Sequence, residues 1–228
     1  MSKEIIIYHG SHNIIEKPKY GLGNKNNDYG LGFYCTYYKE LAKEWACDEK
    51  ESGYCNKYSL DLTGLKVLNL NSNKYNIIHW ISLLLQNRKV SLNSDIERIG
   101  MNYIIENFKV DVSEYDVIIG YRADDSYFSF ARDFLSNTIT YEKLNQAMKL
   151  GNLGNQIVLK SQKAFDQIRF LEADVASKDT YYPLRKKRDM LARTAYQSNK
   201  NNISDINNSL FLIDIIRKGI KENDKDLQ

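Results

Sequence analysis

The sequence predicts a protein of the α+β class, and three observations support this. Short β-branched segments and longer amphipathic segments follow one another without the regular strand–helix–strand alternation of a doubly wound sheet. Hydrophobic residues make up 43% and charged residues 27% of the chain, as in ordinary globular proteins. The 228 residues are about one and a half times the length of a usual domain. We therefore predict one domain with an extension.

Six segments have the composition of short strands. The first, residues 4–8, is the β-branched run Glu-Ile-Ile-Ile-Tyr, which is typical of a buried strand. The second, residues 32–36, follows a stretch rich in glycine and asparagine that indicates a loop. The other strand predictions cover residues 54–60, 66–70, 116–120 and 156–160.

Five segments have the periodicity of helices. In residues 38–50, Leu41, Ala42 and Trp45 recur on one face. The other helix predictions cover residues 77–86, 95–108, 141–149 and 183–196.

The C-terminal part of the chain is more basic than the rest, and we divide the chain into a domain of residues 1–172 and a basic helical extension of residues 173–228. Residues 183–200 carry six basic side chains against one acidic side chain, in a chain of net charge +3. One interpretation is an electrostatic foothold for nucleic acid or another polyanion. The other is an amphipathic helix with Pro183 in its first turn, Leu184 and Leu191 inward and its charges solvated.

Composition excludes several classes of protein. The longest apolar runs, such as residues 83–85 and 210–213, are far shorter than the roughly 20 residues of a membrane helix. The first residues have too short an apolar stretch for a signal peptide. Three cysteines and three histidines show no zinc-ligand spacing, and the odd cysteine count fits reduced thiols. We therefore expect a cytoplasmic protein without a membrane segment or a metal.

The end of the first strand is the first candidate for a functional site. There, His9 is followed by Gly10 and Ser11, so that a ring donor lies beside backbone that a ligand can approach closely. The alternative is an ordinary strand end with a partly buried histidine.

The second candidate is an aromatic segment that contains two glycines. Gly30 and Gly32 precede Tyr34, and Trp45 lies on the helix that follows, so that aromatic walls could face a flat ligand. The alternative is a glycine turn, a core strand and a tryptophan that anchors the core.

The third candidate follows the strand prediction at residues 116–120. Arg122, Asp124 and Asp125 could bind phosphate or act in acid–base chemistry. Equally, Asp125 could cap a helix, with Arg122 as its ion partner.

The first two segments together resemble the ADP-ribosyltransferase superfamily of the poly(ADP-ribose) polymerase and diphtheria-toxin type. His9-Gly10-Ser11 matches the end of its first strand, and residues 30–34 match its Gly-x-Gly-x-Tyr motif. Residues 155–160 resemble its Asn-Glu-x-x-Val strand, with Gln156 at the position of the signature glutamate. The resemblance covers about residues 5–165. It is closer still to a family of uncharacterised bacterial proteins of this superfamily, and there it includes residues 121–128 and 181–186.

The resemblance implies a split mixed or antiparallel sheet with flanking helices, and NAD as the substrate. It implies that His9 binds a ribose hydroxyl and that the Gly10 backbone binds the nicotinamide amide. Tyr34 and Trp45 would enclose the nicotinamide ring, which suits a flat cation. The predicted NAD-binding residues are His9, Gly10, Ser11, Tyr34, Trp45 and Arg122.

The sequence departs from this pattern at Gln156. A neutral amide can hold a ribose hydroxyl but supplies no negative charge for an oxocarbenium-like transition state. Either Asp124 or Asp125 supplies the missing carboxylate, or turnover is slow, or activity is lost. The predicted catalytic residues are Gln156, Tyr34, Asp124 and Asp125.

Three functional hypotheses follow. The first is a bacterial mono-ADP-ribosyltransferase acting on a macromolecular acceptor, a protein or a nucleic acid. A toxin held in check by a small inhibitory partner protein is one form of it. The second is a catalytically silent module that binds NAD, ADP-ribose or a protein. The third is a nucleic-acid-binding protein that uses the basic helix.

Overall fold

The computed structural model describes residues 3–122, 125–150, 154–200 and 209–227, and it leaves the side chains of residues 125–127 undescribed. In these residues, seven strands form one mixed sheet and eight α-helices accompany it. The predicted mixture of strands and helices is therefore confirmed. No helix within the described ranges is long and apolar enough to cross a membrane.

The sheet has the strand order β4-β5-β6-β2-β1-β3-β7. Only β4 and β5 are parallel, and the other neighbours are antiparallel. The strands are β1 (Glu4–Ser11), β2 (Phe33–Thr36), β3 (Gly53–Asp61), β4 (Val67–Asn69), β5 (Val117–Tyr121), β6 (Asn155–Leu159) and β7 (Ile168–Ala176).

The helices pack mainly on one face of the sheet. A large core there joins the sheet to α2, α3, α4, α5 and α8, and a smaller core covers the other face at α6. Capping boxes at Asn76 and Ser94 begin α2 and α3. The helices are α1 (Lys39–Ala46), α2 (Ile77–Asn87), α3 (Asp95–Asn107), α4 (Asp125–Leu135), α5 (Tyr141–Ala147), α6 (Gln162–Asp166), α7 (Lys178–Lys200) and α8 (Leu212–Lys218).

Strands β1 and β2 pair over a shorter length than the other neighbouring strands. These strands share one residue pair, Tyr8 with Thr36, whereas β1 pairs with β3 over its whole length from Glu4 to Ser11. The sheet is therefore continuous, but its two parts meet at a single pair. A cleft opens beside this junction.

All six predicted strands and all five predicted helices have counterparts at nearly the same residues. The sequence did not predict β7, α6 or α8, and it offered α4 only as the alternative in which Asp125 caps a helix. The edge strand β7 alternates polar and apolar residues and contains the predicted domain boundary at residue 172. In α8, Leu212 and Ile215 are buried against the core, so the apolar segment at 210–216 docks on this chain itself.

The predicted orientation of the basic helix is wrong. Pro183 lies in the second turn of α7 rather than the first, and Leu184 and Leu191 are 45% and 54% exposed. The inward residues are Ala192 and Tyr196. The apolar residues do not set the rotation of this helix. The ion pair of Arg188 with Glu44 of α1 sets it instead.

Candidate functional site

A cleft of about 820 Å³ lies beside the junction of β1 and β2. Strands β1, β2 and β6, helices α1 and α7 and the loop before β2 contribute to its lining. A volume of this size suits a small-molecule or nucleotide ligand. Of the residues predicted to form the site, His9, Gly10, Tyr34, Trp45, Arg122 and Gln156 all line this cleft.

His9 connects the two strands at the junction. Its Nδ1 lies 2.7 Å from the carbonyl oxygen of Tyr34 and, because a carbonyl only accepts, Nδ1 is the donor. Burial lowers the pKa of His9, and the nearby Arg122 guanidinium lowers it further. The ring is therefore neutral near pH 7, with Nε2 as its acceptor nitrogen.

Tyr34 uses its hydroxyl to hold the loop that precedes β2. The hydroxyl donates to the Gly30 carbonyl at 2.5 Å and accepts from the Tyr29 amide at 3.2 Å. Gly30 has φ of 72°, a conformation that favours glycine. The Lys160 ammonium also binds this loop, at the carbonyls of Tyr29 and Leu31. Burial raises the pKa of Tyr34 well above its usual range, so this hydroxyl is not a general base.

Gln156 lies on β6 opposite Thr36 of β2 and Gly120 of β5. Its Oε1 atom is buried and has no hydrogen-bond partner within the described part of the chain. Because a buried acceptor without a partner is costly, this oxygen favours a ligand that brings a donor into the cleft.

Trp45 already contacts two cations. The guanidinium carbons of Arg122 and Arg185 lie 4.1 Å and 4.0 Å from the centroid of its ring. Such contacts are favourable cation–π interactions. A nicotinamide ring that stacks on Trp45, as the resemblance implies, has to share the indole with these groups.

Gly10 and Ser11 have contacts that the sequence did not predict. Gly10 lines the cleft, but it also packs against α1 so closely that an added Cβ would lie 2.1 Å from the Ala42 carbonyl oxygen. Ser11 lies outside the cleft lining, and its hydroxyl accepts from the amide of Asn13 at 3.2 Å. Packing of α1 on β1 is thus enough to require the glycine.

The two carboxylates predicted after β5 lie at a gap between the described residues. Asp124 lies outside the described residues, and Asp125 begins α4 with its side chain undescribed. Arg122, just before them, is 9% exposed.

Three other carboxylates line the cleft, and each is engaged. Asp28 accepts from Arg88 Nε at 2.6 Å. Asp189 accepts from Arg193 Nε at 2.8 Å. Asp48 accepts from the backbone amides of Lys50 and Glu51.

His12 lies between Asp48 and Glu51 at the side of the cleft. Its Nε2 is 3.6 Å from an Asp48 oxygen, and its Nδ1 is 3.5 Å from a Glu51 oxygen. One ligand atom from each of His12, Asp48 and Glu51 lies within 4.8 Å of the other two, in a cluster that is largely exposed.

Sequence reasoning missed the part of α7 that lines the cleft, including Tyr182, Arg185 and Lys186. Their spacing of three and four residues puts them on one helix face, together with Asp189 and Arg193. That periodicity of basic and aromatic residues is present in the sequence, but it does not show which surface the face meets.

Stability should fall as the pH drops below about 6.5, because burial lowers the folded-state pKa of both His9 and His79 from that value. Below pH 6.5, these two histidines bind protons in the unfolded chain more readily than in the folded protein. Protonation therefore favours unfolding. Urea unfolding at pH 7.5, 6.5 and 5.5 measures the effect. A His9→Gln variant should show a smaller loss across this range. Equal losses in variant and wild type would contradict the neutral, buried state of His9.

Comparison with known proteins gives one match. The model of DUF3990, described as a protein of unknown function, matches residues 5–170. This range includes His9, Tyr34, Trp45 and Gln156 and ends before α7. No curated protein and no solved structure matches the chain significantly.

Proposed function

The chain belongs to the DUF3990 family of proteins of unknown function, and we propose that it binds NAD in this cleft and transfers ADP-ribose to a macromolecular acceptor, a protein or a nucleic acid. The observation that carries the proposal is that His9, Tyr34 and Gln156 reach one cleft from the neighbouring strands β1, β2 and β6. These are the positions at which the sequence resembles the signature of the ADP-ribosyltransferases.

The polar groups of the cleft suit a ribose ring. Neutral His9 has Nε2 available in its acceptor form, and Gln156 Oε1 is a buried acceptor without a partner among the described residues. Ribose hydroxyls are donors and can satisfy both. An apolar ligand would leave the Gln156 oxygen unsatisfied, which disfavours that alternative.

The proposed reaction breaks the bond between ribose C1′ and the nicotinamide nitrogen, and the bond electrons neutralise the pyridinium charge. The acceptor's lone pair forms the new bond to C1′, and its proton passes to solvent. The transition state has oxocarbenium character, as in glycoside hydrolysis. In this proposal the Gln156 amide supplies only a partial negative charge near the reacting carbon, so we expect slow turnover.

A catalytically silent NAD-binding or ADP-ribose-binding module is the second candidate. It is favoured by the neutral amide at Gln156 and by the engagement of Asp28, Asp48 and Asp189 with other groups. A nucleic-acid-binding role for the basic helix has less support, because Arg188 and Arg193 pair with carboxylates.

The proposed setting is the cytoplasm. The three cysteines, Cys35, Cys47 and Cys55, are buried and free, as in proteins of reducing compartments. One form of the proposal is a toxin that a small inhibitory partner protein holds in check.

The test uses NAD labelled in its adenylate half, incubated with the purified protein and a bacterial lysate. Label in the macromolecular fraction supports transfer, and its sensitivity to protease or nuclease identifies the acceptor class. The Trp45 indole lies in the cleft and contacts Arg122 and Arg185. A Trp45→Ala variant should therefore transfer no label. Failure of the wild type to bind NAD in a direct titration would refute the proposal and its silent alternative together.

Gln156→Glu should increase the rate of nicotinamide release from NAD by about 10-fold or more, because it adds a full negative charge where positive charge develops. The rate is measured with purified protein and NAD alone. Gln146→Glu makes the same change at an exposed position of α5, outside the cleft lining, and should leave the rate unchanged. If Gln156→Glu is no faster than this control, Gln156 does not face the reacting ribose.

A further inference from the structure

The face of α7 that lines the cleft belongs to the part of the chain beyond residue 170, where the family match ends. Its cleft residues include Tyr182, Arg185, Lys186, Asp189 and Arg193. They occupy positions i, i+3, i+4, i+7 and i+11 of the helix, so one continuous helix face borders the cleft for more than two turns. The cleft is therefore not complete without this helix.

Contacts at its middle and near its C-terminal end hold α7 in place beside the cleft. At the middle, Arg188 forms a bidentate ion pair with Glu44 of α1, at 2.9 Å and 2.8 Å. Glu44 is only 3% exposed. Near the C-terminal end, Tyr196 stacks on Phe130 of α4 with ring centroids 3.9 Å apart and donates to Asp133. Arg185 and Lys186 are thus presented to the cleft by a helix anchored on two elements.

The charges on this face are not all neutralised. Arg193 pairs with Asp189. Within the residues that the structure describes, neither Arg185 nor Lys186 has a carboxylate at ion-pair distance. The guanidinium carbon of Arg185 lies 4.0 Å from the centroid of the Trp45 ring, and the Lys186 ammonium lies 5.1 Å from the centre of the Tyr182 ring.

Stacking leaves the donors of Arg185 available. A guanidinium that lies over an aromatic ring makes that contact with its face, and its N–H groups point outward in its own plane. This is the geometry in which arginine binds phosphate through two parallel hydrogen bonds. Trp45 therefore orients Arg185 for an anion and does not consume its hydrogen-bonding capacity.

We propose that Arg185 and Lys186 of α7 form a phosphate subsite in the cleft, which takes the diphosphate of a dinucleotide or of ADP-ribose. The identity of the ligand rests on the proposed function, whereas the anion subsite rests on the α7 contacts alone. The helix beyond the family match would then contribute directly to ligand affinity. In the rival role, Arg185 would occupy the place of the ligand on Trp45 and would weaken ligand binding.

The experiment is calorimetric titration of the full chain with NAD, ADP-ribose, inorganic pyrophosphate and nicotinamide. Arg185→Gln should weaken ADP-ribose and pyrophosphate binding by about 10-fold or more, which corresponds to one charge-assisted bidentate contact. Nicotinamide binding should not weaken, because nicotinamide has no phosphate for Arg185 to bind. Lys187→Gln is the control. It removes a charge two residues after Arg185, at an exposed position outside the cleft lining, and should have no effect.

Each outcome decides between the ideas. Tighter binding by Arg185→Gln would overturn the subsite in favour of the occupying role, and unchanged binding of NAD and pyrophosphate would overturn it while the proposed function stands. If the wild type binds pyrophosphate in an Arg185-dependent manner but does not bind NAD, the subsite stands and the proposed function falls. If the wild type binds neither, both are wrong. Because Arg185 is only half-buried, the thermal unfolding curves of variant and wild type should coincide.

Discussion

Arg188→Ala should lower the free energy of unfolding by about 3–5 kcal/mol, the cost of leaving a buried charge without its partner. The charge left behind is the Glu44 carboxylate, which is 3% exposed and accepts two hydrogen bonds from Arg188. Urea unfolding followed by tryptophan fluorescence measures the loss. The substitution should also weaken ligand binding, because the same pair holds α7 beside the cleft.

A double-mutant cycle supplies the control for this prediction. Glu44→Ala leaves the Arg188 guanidinium, which is about one-third exposed, so its cost should be smaller, about 2 kcal/mol. The double variant should be more stable than the sum of the two losses implies, because it leaves no unpaired charge. Strictly additive losses would show that Glu44 and Arg188 do not interact in solution.

Gly10→Ala should lower the free energy of unfolding by about 3 kcal/mol or more, the upper part of the range for overpacked sites. The added Cβ would lie 2.1 Å from the Ala42 carbonyl oxygen and 2.8 Å from the Ala46 amide nitrogen. Both are backbone atoms of α1, so no side-chain rotation can relieve the contact and the whole helix has to move. Urea unfolding again measures the loss.

Gly21→Ala is the matched control, because an added Cβ there meets nothing within 4 Å and only its positive φ of 80° opposes the change. Its cost should be about 1 kcal/mol. If the two variants are equally stable, the close approach of α1 to β1 is wrong. A loss of NAD binding in Gly10→Ala would not by itself show that the Gly10 backbone contacts nicotinamide, since α1 also carries Trp45.

Local sequence pattern located most of the strands and helices correctly. The β-branched run at residues 4–8 and the helical periodicity at residues 95–108 are short-range signals, and both elements form where these signals indicate. The edge strand β7 was missed because its alternation of polar and apolar residues breaks at Phe170 and Leu171, where its pairing with β3 contains a bulge. Only its pairing with β3 makes it a strand.

Part of the candidate site was also predictable from local sequence pattern. The glycine-rich aromatic segment and the histidine at the end of β1 are visible in the sequence as unusual local combinations. The role of Gly10 in packing and the use of the Tyr34 hydroxyl by its own loop were not visible, because both depend on which element lies opposite. The basic helix was given the wrong inward face because its apolar residues, Leu184 and Leu191, are exposed.

The positions of strands, helices and turns follow from neighbouring residues, since backbone periodicity, capping and glycine conformation act over a few positions along the chain. The shape and charge of the cleft do not. His9 meets the Tyr34 carbonyl across 25 residues, and Glu44 meets Arg188 across 144 residues. Contacts at such separations depend on how whole elements pack, and that packing brings Arg185 onto Trp45.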